Sequence, residues 1–96
     1  MTPEGRIRQH LKKQAKAAGL EHRKLGWIGR RNAPDEFLFR PESTTPICAF
    51  VECKAPGEKP NGGQEREIER LRKAGFLVFV VDSEMMVDLI VSQLKG

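Results

Sequence analysis

Tyrosine is absent from this chain of 96 residues, tryptophan occurs once, at Trp27, and cysteine only at Cys48 and Cys53. So few large aromatics argue against a stacking platform for single strands, and Trp27 reads as core or interface. Cys48 and Cys53 differ in strand parity, so on a straight strand they face opposite ways and cannot pair; two unpaired thiols fit a reducing cytosol. No apolar stretch approaches the roughly 20 residues of a membrane span, and Met1-Thr2-Pro3-Glu4 lacks the apolar region of a signal peptide, so a cytoplasmic protein without membrane contact is expected. His10 and His22 have no partners at zinc spacing; His10, among lysines, reads as a polyanion contact or a solvated side chain. Gly62-Gly63 is too short for a phosphate-cradling loop followed by Lys-Ser/Thr. Internal repeats, low-complexity tracts and interdomain linkers are also missing.

What is present describes a small globular domain spanning residues 1–96, at 39% hydrophobic and 31% charged residues. A chain this short buries a modest core, so oligomerisation is a natural supplement. The net charge of +4 is unevenly spread: residues 1–31 carry nine Lys/Arg against two acids, a net of +7, and the remainder is net −3. Such a basic first third suits a polyanion, with Arg6, Lys12, Lys13, Lys16, Arg30 and Arg31 as candidate phosphate contacts. The plainer alternative is a solvated helix face.

Thr2 can cap a helix with Pro3 at its first position, and Ile7, Leu11, Ala15 and Ala18 form one apolar stripe, which predicts a helix over residues 3–18 ending at Gly19. Strands are predicted over residues 24–28, 36–40 and 47–54, the first two forming a hairpin around the turn Gly29 to Pro34. After a Pro/Gly-rich loop over residues 55–63 come a helix over 64–74 stopped by Gly75, a buried strand over 76–81, and a last helix capped by Ser83 and running through Leu94. The order is αβββαβα, an α/β fold with a mixed central sheet flanked by helices. The strands at 47–54 and 76–81, joined by a helix, should be parallel neighbours. Met85 and Met86 read as core packing or as dimer surface.

The most informative pattern is Pro34-Asp35 followed by Glu52-Cys53-Lys54 at the end of the apolar run Ile47 to Val51. Strand alternation points Glu52 and Lys54 to one face and Cys53 to the other. Phosphodiester hydrolysis needs a hard cation held by carboxylate oxygens and a positive group to orient water and offset developing charge, and Asp35, Glu52 and Lys54 supply both. The plainer alternative is a surface Glu52–Lys54 ion pair with Asp35 as a turn residue. Glu4 precedes Ile7 by three and Leu11 by seven, so it lies on the inward stripe of its helix; it either reaches the metal or occupies the first turn because the helix dipole favours an acid there. Gln64 precedes Ile68 and Leu71 in the same way, and its amide either faces Lys54 and a site water or satisfies free backbone groups of the first turn.

With Pro34-Asp35, Glu52-x-Lys54, the loop Ala55-Pro56-Gly57 and Gln64 with Leu71 downstream, the chain resembles the PD-(D/E)XK nuclease superfamily and, more narrowly, a stand-alone, phage-type domain of its virus-type replication-repair nuclease (VRR-NUC) family. The resemblance implies a restriction-endonuclease-like core. It implies Mg²⁺ or Mn²⁺ held by Asp35, Glu52 and the backbone carbonyl of Cys53, with Lys54 as catalytic lysine and Glu4 and Gln64 completing the site. Lys54 is assigned orientation of water and electrostatic stabilisation ahead of general-base duty. The chain departs from the family pattern at Asn32-Ala33, where a glycine often precedes Pro-Asp, and at Glu36, an extra acid placed either to bind a second metal or to repel phosphate. The activity implied is endonucleolytic cleavage of branched DNA, four-way (Holliday) junctions among them, by a homodimer with two sites for a two-fold substrate. A second class is a non-catalytic nucleic-acid-binding module on the same fold, which divalent metal would leave nearly unmoved in stability. A sequence-specific restriction enzyme is disfavoured, because little chain remains to build a base-reading element.

Overall fold

Thr2 accepts a hydrogen bond from Gly5 N at 2.9 Å with Pro3 in the first turn, and this cap starts α1 (Pro3–Ala17) in the computed structural model, which describes residues 1–96. The elements that follow are β1 (Glu21–Lys24), β2 (Glu36–Phe39), β3 (Cys48–Cys53), α2 (Gly62–Lys73), β4 (Val78–Val81) and α3 (Glu84–Lys95). The order is the expected αβββαβα. The four strands form one mixed sheet in the order β1-β2-β3-β4, antiparallel at the first two pairings and parallel between β3 and β4. No helix is long and apolar enough to cross a membrane.

The main core lies between one sheet face and the helix pair α1 and α3. Ile7, Leu11 and Ala15 come from α1, Val87, Ile90, Val91 and Leu94 from α3, and Leu38, Ala49, Val51, Cys53 and Val81 from the strands. Because strand side chains alternate, the other face carries Phe37, Phe39, Phe50 and Glu52. There Phe37, Phe39, Phe50, Trp27 and Phe76 form a connected row with ring centroids 5.1–5.8 Å apart. Strand pairing builds this row by setting Phe37 opposite Phe50. Cys48 and Cys53 are both free thiols, and burial pushes Cys53 up to about 12.

The boundaries differ where tertiary structure overrides local pattern. The first strand lies at Glu21–Lys24 and not at 24–28: buried Leu20 anchors its start after Gly19 (φ 79°), and the chain leaves the sheet after Leu25, whose N–H donates to Asp35 O at 2.8 Å. The strand beginning at Phe76 is shorter, Val78–Val81, with Phe76 and Leu77 exposed. Ser83 caps α3 as expected, accepting from Met86 N at 3.2 Å. Met85 and Met86 are exposed, so the core-packing alternative does not hold for them. His10 Nε2 lies 2.8 Å from Asp88 Oδ1, which ties α1 to α3 at the border of the basic groove.

Candidate active site

The site lies where β2 begins and β3 ends, beside the first turns of α1. Register sets Glu36 opposite Val51, so Asp35 comes beside the end of β3 that carries Glu52. Pro34 is fully buried, and its carbonyl accepts a hydrogen bond from Trp27 Nε1 at 2.6 Å, which fixes the backbone just before Asp35. Asn32 has φ 65°. This left-handed conformation suits glycine best and asparagine next, so Asn32 makes the turn ahead of Pro-Asp without a glycine. Lys54 N donates to Val81 O at 2.9 Å, so β4 holds the end of β3 in place.

Glu52 and Lys54 point to one face with Oε2 and Nζ 3.9 Å apart, both side chains only 11% exposed. Burial, with Asp35 and Glu4 adding their negative charge, pushes the Glu52 carboxyl up to about 7 against the pull of Lys54. Asp35 Oδ2 accepts from Lys24 Nζ at 2.9 Å, whereas Asp35 Oδ1 is buried with no hydrogen-bond partner. An orphaned carboxylate oxygen next to a carboxyl that resists ionisation is what a bound cation would relieve, so the donor set fits a hard divalent ion. No third His, Cys, Asp or Glu joins them in a cluster.

Two other predicted site residues are held by their neighbours. Glu4 sits in the first turn of α1, partly exposed, and accepts from Arg8 Nη2 at 2.8 Å. Gln64 forms a capping box: its Oε1 accepts from Asn61 N at 3.0 Å while Asn61 Oδ1 accepts from Gln64 N at 2.9 Å. The structure thus realises the backbone-satisfying alternative for Gln64 and does not bring its amide to Lys54. Glu36, the extra acid, faces α1 and is fully buried. It bonds Arg8 Nε at 2.7 Å, His22 Nε2 at 2.5 Å and Lys24 Nζ at 3.2 Å, so it neither projects beside Glu52 nor meets phosphate.

The basic residues divide into two groups. Arg6, Lys12, Lys13 and Lys16 line one open groove of about 660 Å³ bordered by Glu84. Arg31 is exposed, but Arg30 pairs with Glu67, a buried acid of α2 that also takes Arg70 at 3.1 Å. Glu67 gave no signal in the sequence, because it stands among charged neighbours and its main partner is 37 positions away. A Cβ on Gly63 would come within 2.5 Å of Asn32 Nδ2, so glycine there lets the loop before Asp35 lie against α2.

This fold is that of a PD-(D/E)XK-type α/β domain. The VRR-NUC domain family matches residues 4–85, and the chain belongs to that family. It is 41% identical over 81 residues to "Putative nuclease p44" of Acyrthosiphon pisum secondary endosymbiont phage 1, covering 84% of each chain. A solved VRR-NUC domain is 40% identical and superposes with a TM-score of 0.84 over 96% of this chain and 97% of its own.

Proposed function

We propose that this chain is a divalent-metal-dependent nuclease that cuts phosphodiester bonds in DNA. The observation that carries this reading is the pairing of a buried, unpartnered Asp35 oxygen with the buried Glu52–Lys54 pair across β2 and β3. Family membership and the nuclease name of the phage relative support it. Asp35 and Glu52, with the backbone carbonyl of Cys53, would hold Mg²⁺ or Mn²⁺, and Glu4 stands at the edge of the same group of acids. When bound, the ion supplies charge neutralisation at a phosphate oxygen and a lowered pKa for a water. Lys54 would orient an attacking water and stabilise the negative charge developing on the phosphate oxygens.

The finer reading is a structure-selective endonuclease for branched DNA, four-way junctions above all, working as a homodimer in the cytoplasm of the cell that makes it, with residues 1–96 as one domain. The groove of Arg6, Lys12, Lys13 and Lys16 supports a duplex arm running along α1, and Arg31 supports a phosphate contact near the cut. Arg30 joins only if DNA displaces Glu67. Exposed Met85 and Leu89, one turn apart on α3, support an apolar contact between copies.

The test is incubation of the protein with labelled four-way junction, flap and plain duplex, with and without Mg²⁺ or Mn²⁺, beside Lys54→Ala. Paired nicks confined to the junction that need both metal and Lys54 are expected. Binding without cutting under every metal condition would refute the catalytic reading.

A further inference from the structure

Glu36 is the most enclosed charge in the protein, and the chemistry assigned to the site does not use it. Three cationic or protonatable groups converge on it: Arg8, Lys24 and His22. Two of these reach onward to the carboxylates of the site. Arg8 spans Glu36 and Glu4, with contacts at 2.7 and 2.8 Å, and Lys24 spans Glu36 and Asp35, at 3.2 and 2.9 Å. Lys24 is drawn to both acids, and its hydrogen bond to Asp35 leads the causes that raise its pKa.

We propose that Glu36 is a positioning residue for divalent-metal binding: it shares Arg8 with Glu4 and Lys24 with Asp35, so that neither cation is spent on a site acid alone. The argument is one of charge placement. Around the site stand the acids Glu4, Asp35 and Glu52 and the cations Arg8, Lys24 and Lys54. Without Glu36 the two groups balance, and Arg8 and Lys24 have only the metal-holding acids to pair with. With Glu36 they have a second, fully buried partner, so less of their charge falls on the acids where a cation would bind. The same network accounts for an acid directly after Asp35 that contributes no oxygen to the site.

This inference rests on the metal reading of Asp35 and Glu52, and isothermal titration of Mn²⁺ into metal-free protein separates the two. Glu36→Gln, close to isosteric, should weaken Mn²⁺ binding about tenfold or more. Adding Lys24→Met should recover most of that loss, because Asp35 is then released from its competitor. Glu69→Gln serves as the control: it removes an exposed acid of α2 and should leave Mn²⁺ affinity unchanged. Wild-type affinity in Glu36→Gln, or a loss that Lys24→Met fails to recover, would overturn the proposal. If Glu36→Gln does not fold, Lys24→Met alone decides: it should bind Mn²⁺ at least as tightly as wild type, and weaker binding counts against the idea. Wild-type protein that takes up no Mn²⁺ would overturn the metal reading and this proposal together. Uptake abolished by Asp35→Asn but unchanged in Glu36→Gln would overturn this proposal alone.

Discussion

Replacing Glu52 by glutamine should make the metal-free protein more stable at neutral and alkaline pH, although it removes a residue central to the proposed chemistry. Burial raises the Glu52 carboxyl from the ordinary 4.5 to about 7. Between those values the folded protein keeps a proton on Glu52 that the unfolded chain has released. Stability from this group is therefore fully present below about pH 4.5 and is lost as pH rises through about 7. At 1.36 kcal/mol for each tenfold in proton affinity, the loss is about 3 kcal/mol, an upper figure because some solvent reaches the side chain. Glutamine cannot ionise and escapes it.

The assay is urea unfolding of wild type and Glu52→Gln in chelator across about pH 4.5 to 8.5, reading the difference between them so that other titrating groups cancel. That difference should grow in favour of the variant as pH rises and level off above about 7 to 8. A flat difference would refute the argument that Glu52 is desolvated. Saturating Mn²⁺ should reverse the pattern, because a cation stabilises the ionised carboxylate; at a hundred times its dissociation constant it adds about 2.7 kcal/mol to wild type. Glu52→Gln should gain far less.

Four further outcomes are expected. Lys54→Ala should bind junction DNA normally but cut it about 10²- to 10³-fold more slowly, read from single-turnover rates; a wild-type rate in folded protein would remove Lys54 from catalysis. Leu11→Ala, at a fully buried position of α1, should cost about 2–5 kcal/mol in urea unfolding, and a cost below about 1 would contradict the core described for α1 and α3. Gln64→Ala should lower stability by about 1 kcal/mol through loss of the capping box; a fall in cleavage rate out of proportion to that loss would instead put its amide at the site. Lys13→Ala and Lys16→Ala should each reduce the slope of log affinity against log salt by about one if they touch phosphates, and an unchanged slope would move the DNA off the α1 groove.

Asp35, Glu52 and Lys54 were legible in the sequence because their signal is local. A β-branched run that ends in Glu-x-Lys announces both a strand and the face on which two charges emerge, and the proline before Asp35 marks a turn. The helices were legible for the same reason, through caps such as Thr2 and Ser83 and apolar stripes of helical period. What was not legible depends on partners distant in sequence. The strand Glu21–Lys24 reads Glu-His-Arg-Lys, with no apolar alternation, because His22 and Lys24 face the buried carboxylate of Glu36 and not an apolar core. Helical spacing alone placed Gln64 equally well at the site or in a cap, and the choice depended on Asn61 lying at the N-cap.

The buried acids carry the same lesson into function. A charge can be buried only if opposite charges or hydrogen-bond donors come with it, so each buried acid here marks a place where remote segments must meet. Glu67 joins the loop before Asp35 to α2 through Arg30, and Glu36 joins α1 to β1 and β2 through Arg8, His22 and Lys24. Those contacts are the supports on either side of the segment that presents Asp35. Glu52 differs, being buried with a single cation 3.9 Å away and acids around it, and its carboxyl is pushed up accordingly. Of the three, it is the acid whose surroundings leave negative charge least compensated, so it is where a divalent cation would gain most by binding.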